Sequence, residues 1–381
     1  MPSTARSLFF ASLRYASAAL GALLITGCQS VNPYYDPAKP HHTREGFKNN
    51  YIDAVDKPLS GLLKWRWQAW RQDLPPPPKE PTPVVAPDLA AIKANATKGA
   101  AMAPSITWIG HATMLVQASG LNVLTDPVFS ERASPFQFAG PKRAQAPGVA
   151  LADLPAIDAV VISHNHYDHL DRHAIKALDE RAQGKTLFLV PLGIKQWLAN
   201  IGVHNAVELD WWQSYKVGNV EFHFTPVQHW TARALGDRNQ SLWGGWAAFG
   251  PDFHWYFSGD TGYSQDFRDT QQHFAAKNAA GASGPQDGFD LALIAVGAYE
   301  PRWFMKEQHV NPAEAVQIHR DLHARRSVGV HWGTFNLTDE PLDQPPRDLA
   351  EARRAQGVAD EDFSVMKIGE TRQLPPRATN R

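Results

Sequence analysis

The stretch Ser163-His164-Asn165-His166-Tyr167-Asp168-His169-Leu170-Asp171 gathers three imidazoles and two carboxylates in nine residues. His164, His166, Asp168 and His169 are side chains that bind transition metals. The preceding Ala159-Val160-Val161-Ile162 is apolar and β-branched and reads as a buried strand. Residues two apart at a strand end point the same way, so His164 and His166 can grip one ion. The chain then turns, and Asp168 and His169 can face a second ion nearby. Imidazole and carboxylate suit zinc, and no cysteine takes part. The alternative, a His-rich surface loop, does not explain ligands lined up behind a buried strand.

Three further candidates follow apolar runs. His229 comes just after Val220–Val227, Asp260 after His254–Phe257, and His331 after Ser327–Val330. The expected set is His164, His166 and His229 for one ion, Asp168, His169 and His331 for the other, and Asp260 as the bridge. Two ions so bridged sit ~3.5–4 Å apart and can share a hydroxide. Zinc lowers the pKa of its water to near 7, so such a nucleophile is available at neutral pH.

The elements that must position these residues alternate along the chain. Ile106–Ile109, Met114–Val116 and Asn122–Leu124 read as consecutive strands, followed by Thr125-Asp126-Pro127. An acid at a strand end beside histidine ligands commonly holds an imidazole N–H, which makes Asp126 a candidate; a turn residue before Pro127 is the competing reading. His111 stands between an inner-pocket hydrogen bond and an ordinary core histidine. Asp171 is placed to cap a helix bearing Ala174, Ile175 and Leu178. Leu187–Val190 and Leu291–Val296 read as strands, Gly193–Asn200 as a helix, and Ser364–Ile368 as a closing strand. Two strand-rich halves, each followed by helices, with every candidate ligand at a strand's C-terminal end, point to a layered α/β fold.

Composition bounds the rest. The chain has 381 residues, 43% hydrophobic, with a formal net charge of -1, so no basic field argues for nucleic acid. The first 27 residues read as an export signal, with Arg6 and Arg14 ahead of Ala18–Ile25, an apolar run too short to span a bilayer. Ile25-Thr26-Gly27-Cys28 resembles a bacterial lipoprotein cleavage box, and Cys28 is the only cysteine. Acylated Cys28, followed by Gln29, implies a lipid-anchored protein of the cell envelope, at the outer membrane and facing the periplasm. Residues 28–104 are expected to be a tether and N-terminal extension. Within them Trp65, Trp67 and Trp70, among Lys64, Arg66 and Arg71, are either a membrane-interface helix or a helix packed on the main domain.

The whole run from Ile162 to Asp171 carries the HxHxDH signature of the metallo-β-lactamase fold. The chain further resembles the N-acyl-phosphatidylethanolamine-hydrolysing phospholipase D family of that superfamily. The resemblance rests on Thr125–Ser130, Gly140-Pro141-Lys142-Arg143, His229-Trp230, Leu242-Trp243-Gly244, Gly259–Tyr263, Gly297–Met305, His309–Pro312 and His331–Phe335. It implies an αβ/βα four-layer sandwich over residues 105–381 and two Zn²⁺ per chain. It also implies cleavage of N-acyl-phosphatidylethanolamine-like glycerophospholipids at a membrane surface. It marks His309 as a catalytic pocket residue with no ligand role, and Asp260 counts as catalytic as well as bridging; capping of the helix near Asn311 is the plainer role for His309. Tyr167 and Tyr299 are expected to line the pocket and Arg302 to meet a phosphate. A zinc hydrolase of another ester or amide, such as a lactone or β-lactam, is the alternative. A homodimer is left open.

Overall fold

The computed structural model describes residues 31–377 apart from 56, 235 and 281–286; the expected signal peptide and Cys28 lie outside the described residues. Two seven-stranded sheets face each other. The first contains β1 (Ser105–Gly110), β2 (Thr113–Ala118), β3 (Leu121–Thr125), β4 (Ala159–Val161), β5 (Leu187–Pro191) and β6 (Ala206–Leu209) in that order. The second contains β7 (Ser214–Val217), β8 (Val220–Thr225), β9 (Gly245–Phe249), β10 (His254–Phe257), β11 (Leu291–Ala295), β12 (Ser327–Val330) and β13 (Phe363–Val365). The last strand, β14 (Thr371–Gln373), crosses back to pair antiparallel with β1. The expected single strand over 364–368 is therefore two short ones, and the turn between them lets one segment tie both sheets.

In each sheet hairpins give way to parallel pairing, at β3–β6 and β10–β13. Parallel strands are covered on both faces, which explains their continuous apolar runs. On β4 and just past it the faces divide cleanly. Ala159 and Val161 enter the core between the sheets, while Val160 and Ile162 enter the core beneath the helices. That outer core holds Ile175 and Leu178 of α3 (Arg172–Arg181) and Leu198 of α4 (Lys195–Asn200). Each such side chain, fully buried, stabilises the fold by about 1.5–3 kcal/mol. The strand ends are thus rigid mounts for whatever follows them.

Residues 31–55 are not a tether. Asn32, His41, His42, Phe47 and Asn49 are buried. The Tyr34 hydroxyl donates to Glu208, and Lys39, His41 and His42 all close on Asp210. Downstream, α1 (Leu59–Arg71) buries Trp65 and Ala69 against Phe304 and Met305. It leaves Leu59, Leu63, Trp67 and Trp70 exposed. One face of the tryptophan helix is therefore packed on the main domain, as the second of the two readings expected. A second short helix, α2 (Leu89–Ala96), leads into β1. Among the described residues no helix is long and apolar enough to cross a membrane.

Candidate metal centre

The histidine motif begins one residue past Ile162, where the chain leaves β4. Its turn is held from below by Asp126, just past β3 and fully buried. The Asp126 carboxylate accepts the Ser163 backbone N–H at 2.7 Å, the Ser163 hydroxyl at 2.5 Å and His169 Nδ1 at 2.6 Å. His164 Nε2 lies 2.9 Å from His166 Nδ1, and His229 Nε2 lies 3.3 Å from the same atom. Their outer nitrogens are anchored, His164 Nδ1 on Ser163 Oγ at 2.8 Å and His229 Nδ1 on the Gln308 carbonyl at 2.9 Å. Anchoring the outer nitrogen fixes the ring and turns the inner lone pair toward a shared point.

A second set adjoins the first. His111, Asp168, His169 and His331 place their ligand atoms within 4.8 Å of one another. His111 Nε2 is 3.0 Å and His331 Nε2 3.3 Å from Asp168 Oδ2. Asp260 borders both sets, with Oδ2 3.1 Å from His169 Nε2, 3.2 Å from His331 Nε2 and 3.9 Å from His164 Nε2. His111 and His331 both have positive φ, 53° and 62°, and the His331 N–H donates to the His111 carbonyl. Such backbone costs on the order of 1 kcal/mol per residue and persists only where the surroundings enforce it.

The donor set fits divalent cations. His169 Nε2 and Asp260 Oδ1 are buried without a hydrogen-bond partner. The electrostatics agree. Burial raises the Asp168 and Asp260 carboxyls, but positive charge on His169 together with the other neighbouring histidines outweighs it and holds both well below the usual range. Burial lowers His169, but Asp260 and Asp168 draw it well above its ordinary value; against the same penalty, Asp260 and Asp168 together lift His331 to about 9. Burial carries His166 down to about 4 and His229 to about 3. The site therefore calls for positive charge at its carboxylates and bare imidazoles opposite, and a bound metal cation supplies the first while needing the second.

The family model described as "Beta-lactamase superfamily domain" matches residues 121–332. An N-acyl-phosphatidylethanolamine-hydrolyzing phospholipase D from Caenorhabditis elegans is 42% identical over 277 residues, 69% of this chain and 74% of that one. The chain belongs to the N-acyl-phosphatidylethanolamine-hydrolysing phospholipase D family of the metallo-β-lactamase superfamily. A mitochondrial member from Saccharomyces cerevisiae is 35% identical over 252 residues, 64% of this chain and 50% of that one. The solved structure of an isothiocyanate hydrolase from Delia radicum gut bacteria shares the fold, with a TM-score of 0.54 at 21% identity over 71% of this chain and 99% of that one. The protein is a metal-dependent hydrolase with the metallo-β-lactamase fold.

Against this family frame, the expected pocket residues divide. His309 approaches the centre, with Nδ1 3.9 Å from Asp260 Oδ2 and its ring 5.4 Å from that of His229. Burial lowers it to about 3, so the ring is neutral near pH 7. It does not cap the following helix. That role belongs to Asn311, which forms a capping box with Glu314 at the start of α7 (Pro312–Asp321), the helix after α5 (Asp266–Ala279) and the short α6 (Arg302–Met305). Tyr167 lines a cavity of about 650 Å³ that also includes Asn165 and Trp197.

Tyr299 and Arg302 are corrections. Tyr299 is 3% exposed and its hydroxyl donates to Asp348 at 2.6 Å. It serves the packing of α8 (Gln344–Gln356) and does not line the 650 Å³ cavity beside Tyr167. Arg302 spends its guanidinium on both Glu314 oxygens and on the His309 carbonyl, so it braces the His309 loop and has no free fork for a phosphate.

Two positions escaped the sequence reading. Arg233 donates to the carbonyls of Asn165 at 2.6 Å and Leu170 at 2.9 Å and lies 4.0 Å over the Tyr167 ring, clamping the histidine motif. Its place four residues after His229 was the available signal. Asn49 bonds the His229 backbone in both directions. No local signal marks it, because its partner is 180 residues away.

Proposed function

We propose that this chain is a phospholipase D-type phosphodiesterase that holds two Zn²⁺ and cleaves N-acyl-phosphatidylethanolamine-like glycerophospholipids at the cell-envelope membrane. The observation that carries the two-metal reading is Asp260, whose single oxygen borders both ligand sets. The substrate class is supported by the 42% identity to a relative named for that reaction.

His164, His166 and His229 would hold one ion, Asp168, His169 and His331 the other, with Asp260 between them. When bound, such a pair supplies Lewis acidity toward a phosphodiester and lowers the pKa of water at the site. The protein's own part is orientation and proton handling. Asp126 keeps His169 with its proton on Nδ1, and the Gln308 carbonyl does the same for His229, so both present Nε2 inward. His309 offers one N–H and one lone pair beside Asp260. That is the equipment to hydrogen-bond a phosphate oxygen or pass a proton to the departing alkoxide. The cavity lined by Tyr167 and Trp197 borders the histidine motif at Asn165 and Asp171, and none of the seven ligands or His309 lines it.

The membrane side of the reading is supported by α1. Its outer face shows Leu59, Leu63, Trp67 and Trp70, and its only charged residues are Lys64, Arg66 and Arg71. Trp303, half exposed, extends the patch, with Lys64 Nζ 4.9 Å over its ring. Apolar side chains ringed by cations match an anionic phospholipid surface. Acylation of Cys28 would anchor the chain there from the periplasmic side of the outer membrane.

The deciding experiment incubates the protein with defined phospholipids and identifies products by mass spectrometry. Phosphatidate plus an N-acylethanolamine is expected. Release of fatty acid without phosphatidate, or turnover of lactones alone, would overturn the reading in favour of a carboxylic ester or amide hydrolase.

A further inference from the structure

His229 stands four residues past the end of β8, where it has no neighbouring strand to pair its backbone. Its N–H and carbonyl are nevertheless both bonded, and both to one side chain. The His229 N–H donates to Asn49 Oδ1 at 2.9 Å, and Asn49 Nδ2 donates to the His229 carbonyl at 3.0 Å. The same Oδ1 accepts Trp243 Nε1 at 3.1 Å. The Asn49 amide thus does for residue 229 what a strand neighbour would do. Asn49 is 4% exposed, and His229 and Trp243 are fully buried. With the Gln308 carbonyl fixing the ring at Nδ1, residue 229 is gripped at backbone and side chain together.

We propose that Asn49 is a positioning residue of the metal centre, and that the segment 31–55 is a working part of the active site. The claim rests on the reading of His229 as a metal ligand. The N-terminal segment is seated at its other end by Asp210 and along its length by Phe47, whose N–H donates to the Asn239 carbonyl. Asn49 is where that seating reaches the metal ligands. Asn50, next to it, spends its side-chain amide on Asp266 at 2.8 Å, while the bonds to the His229 backbone come from Asn49, which makes Asn50 an internal control.

The test uses the full chain, stripped of metal with a chelator and titrated with Co²⁺, reading the visible ligand-field spectrum and the affinity of each site. His229→Ala should lose one of two bound ions, which checks the underlying ligand reading separately. Asn49→Ala should still bind two ions, with one site weakened about 10–100-fold and its spectrum altered, the size of effect expected for a residue supporting a ligand. Asn49→Asp, which keeps the acceptor for His229 and Trp243 and loses the donor, should fall between and carries the test if Asn49→Ala does not fold. Asn50→Ala should leave both affinities and the spectrum as in wild type. Unchanged Co²⁺ affinity and spectrum in Asn49→Ala would overturn the proposal. So would equal losses in Asn50→Ala, which would mean general loosening of the segment. If His229→Ala keeps two ions at wild-type affinity, the ligand reading fails first.

Discussion

Two buried clusters in this molecule have nearly the same inventory. One is the centre built on His164, His166 and His229. The other is His41, His42 and Asp210, whose ligand atoms also lie within 4.8 Å of one another. Their internal bonding is opposite. In the first, the outer nitrogens of His164 and His229 are tied back, and one inner nitrogen of each of the three rings faces the others with no carboxylate or ammonium among them. In the second, Asp210 Oδ1 takes His41 Nε2 at 2.7 Å, and Oδ2 takes His42 Nε2 at 3.0 Å and Lys39 Nζ at 2.6 Å. His42 Nδ1 is bonded to the Tyr34 carbonyl, and His41 stacks on Trp211. An ammonium already sits where a cation would go. The lesson is that residue types nominate a metal site, while the direction of the unshared lone pairs decides it. The Asp210 cluster is a latch for the N-terminal segment.

Substitutions at the two carboxylates should separate the clusters most sharply. Asp260→Ala is expected to lower turnover by on the order of 10³-fold or more, about 4 kcal/mol of barrier, and to reduce bound metal below two per chain. Asp210→Asn should leave metal content unchanged in the same elemental analysis. Loss of an ion from Asp210→Asn would break the comparison.

Next in size is His309→Asn, where kcat should fall about 10²–10⁴-fold with both metals retained. The defect should shrink for aryl phosphodiesters, whose leaving groups need no proton. Loss of metal in this variant would make His309 a ligand.

Smaller effects belong to the latch. Asp210→Asn should lower stability by about 1–3 kcal/mol, because it leaves buried donors without their acceptor, and a thermal melt reads this directly. The pH dependence has a definite sign. Burial raises the Asp210 carboxyl, but the hydrogen bonds from His41 and Lys39 and the nearby positive charge hold it well below its usual value. A carboxyl depressed in the fold contributes stability that is complete above its unfolded value of about 3.9 and is lost as pH falls toward the folded one. Hydrogen-exchange protection factors over residues 31–49 should therefore be steady from neutral pH down to that value and fall below it, and the acid-induced part should vanish in Asp210→Asn. Smallest of all, Trp67→Ala with Trp70→Ala should weaken flotation with anionic vesicles and leave turnover of a soluble phosphodiester untouched.

What the sequence disclosed follows from the range of the interactions. His164 to Asp171 were legible because their geometry is set within nine residues by one buried strand and one turn. His229, Asp260 and His331 were legible because each follows an apolar run that could only be a strand, and strand ends gather at one edge. The N-terminal segment was not, because His41, His42 and Asn49 are polar residues without periodicity whose partners lie 168 to 194 positions away. Tyr299 and Arg302 misled for the same reason. An aromatic and an arginine in a family-specific block look like pocket residues until Asp348 and Glu314 are seen to claim them. The edge strands β6 and β7 escaped because their short, half-exposed sequences lack an apolar signal.

The reach of Asn49 has a consequence for how the molecule comes into being. A chain is made from its N-terminus, so Asn49 emerges long before His229 and Trp243, across 180 and 194 intervening positions. Contacts so distant raise the contact order and pay their loop-closure entropy late, after the local hairpins have formed. The segment 31–55 must wait, undocked, until β8 and β9 exist, and β14 must wait longer still before it can return to β1. The cation site is accordingly among the last features to be completed. A metal that binds only the finished site then draws the preceding steps forward by mass action, so the supply of metal sets how much of the newly made chain is trapped in its final form.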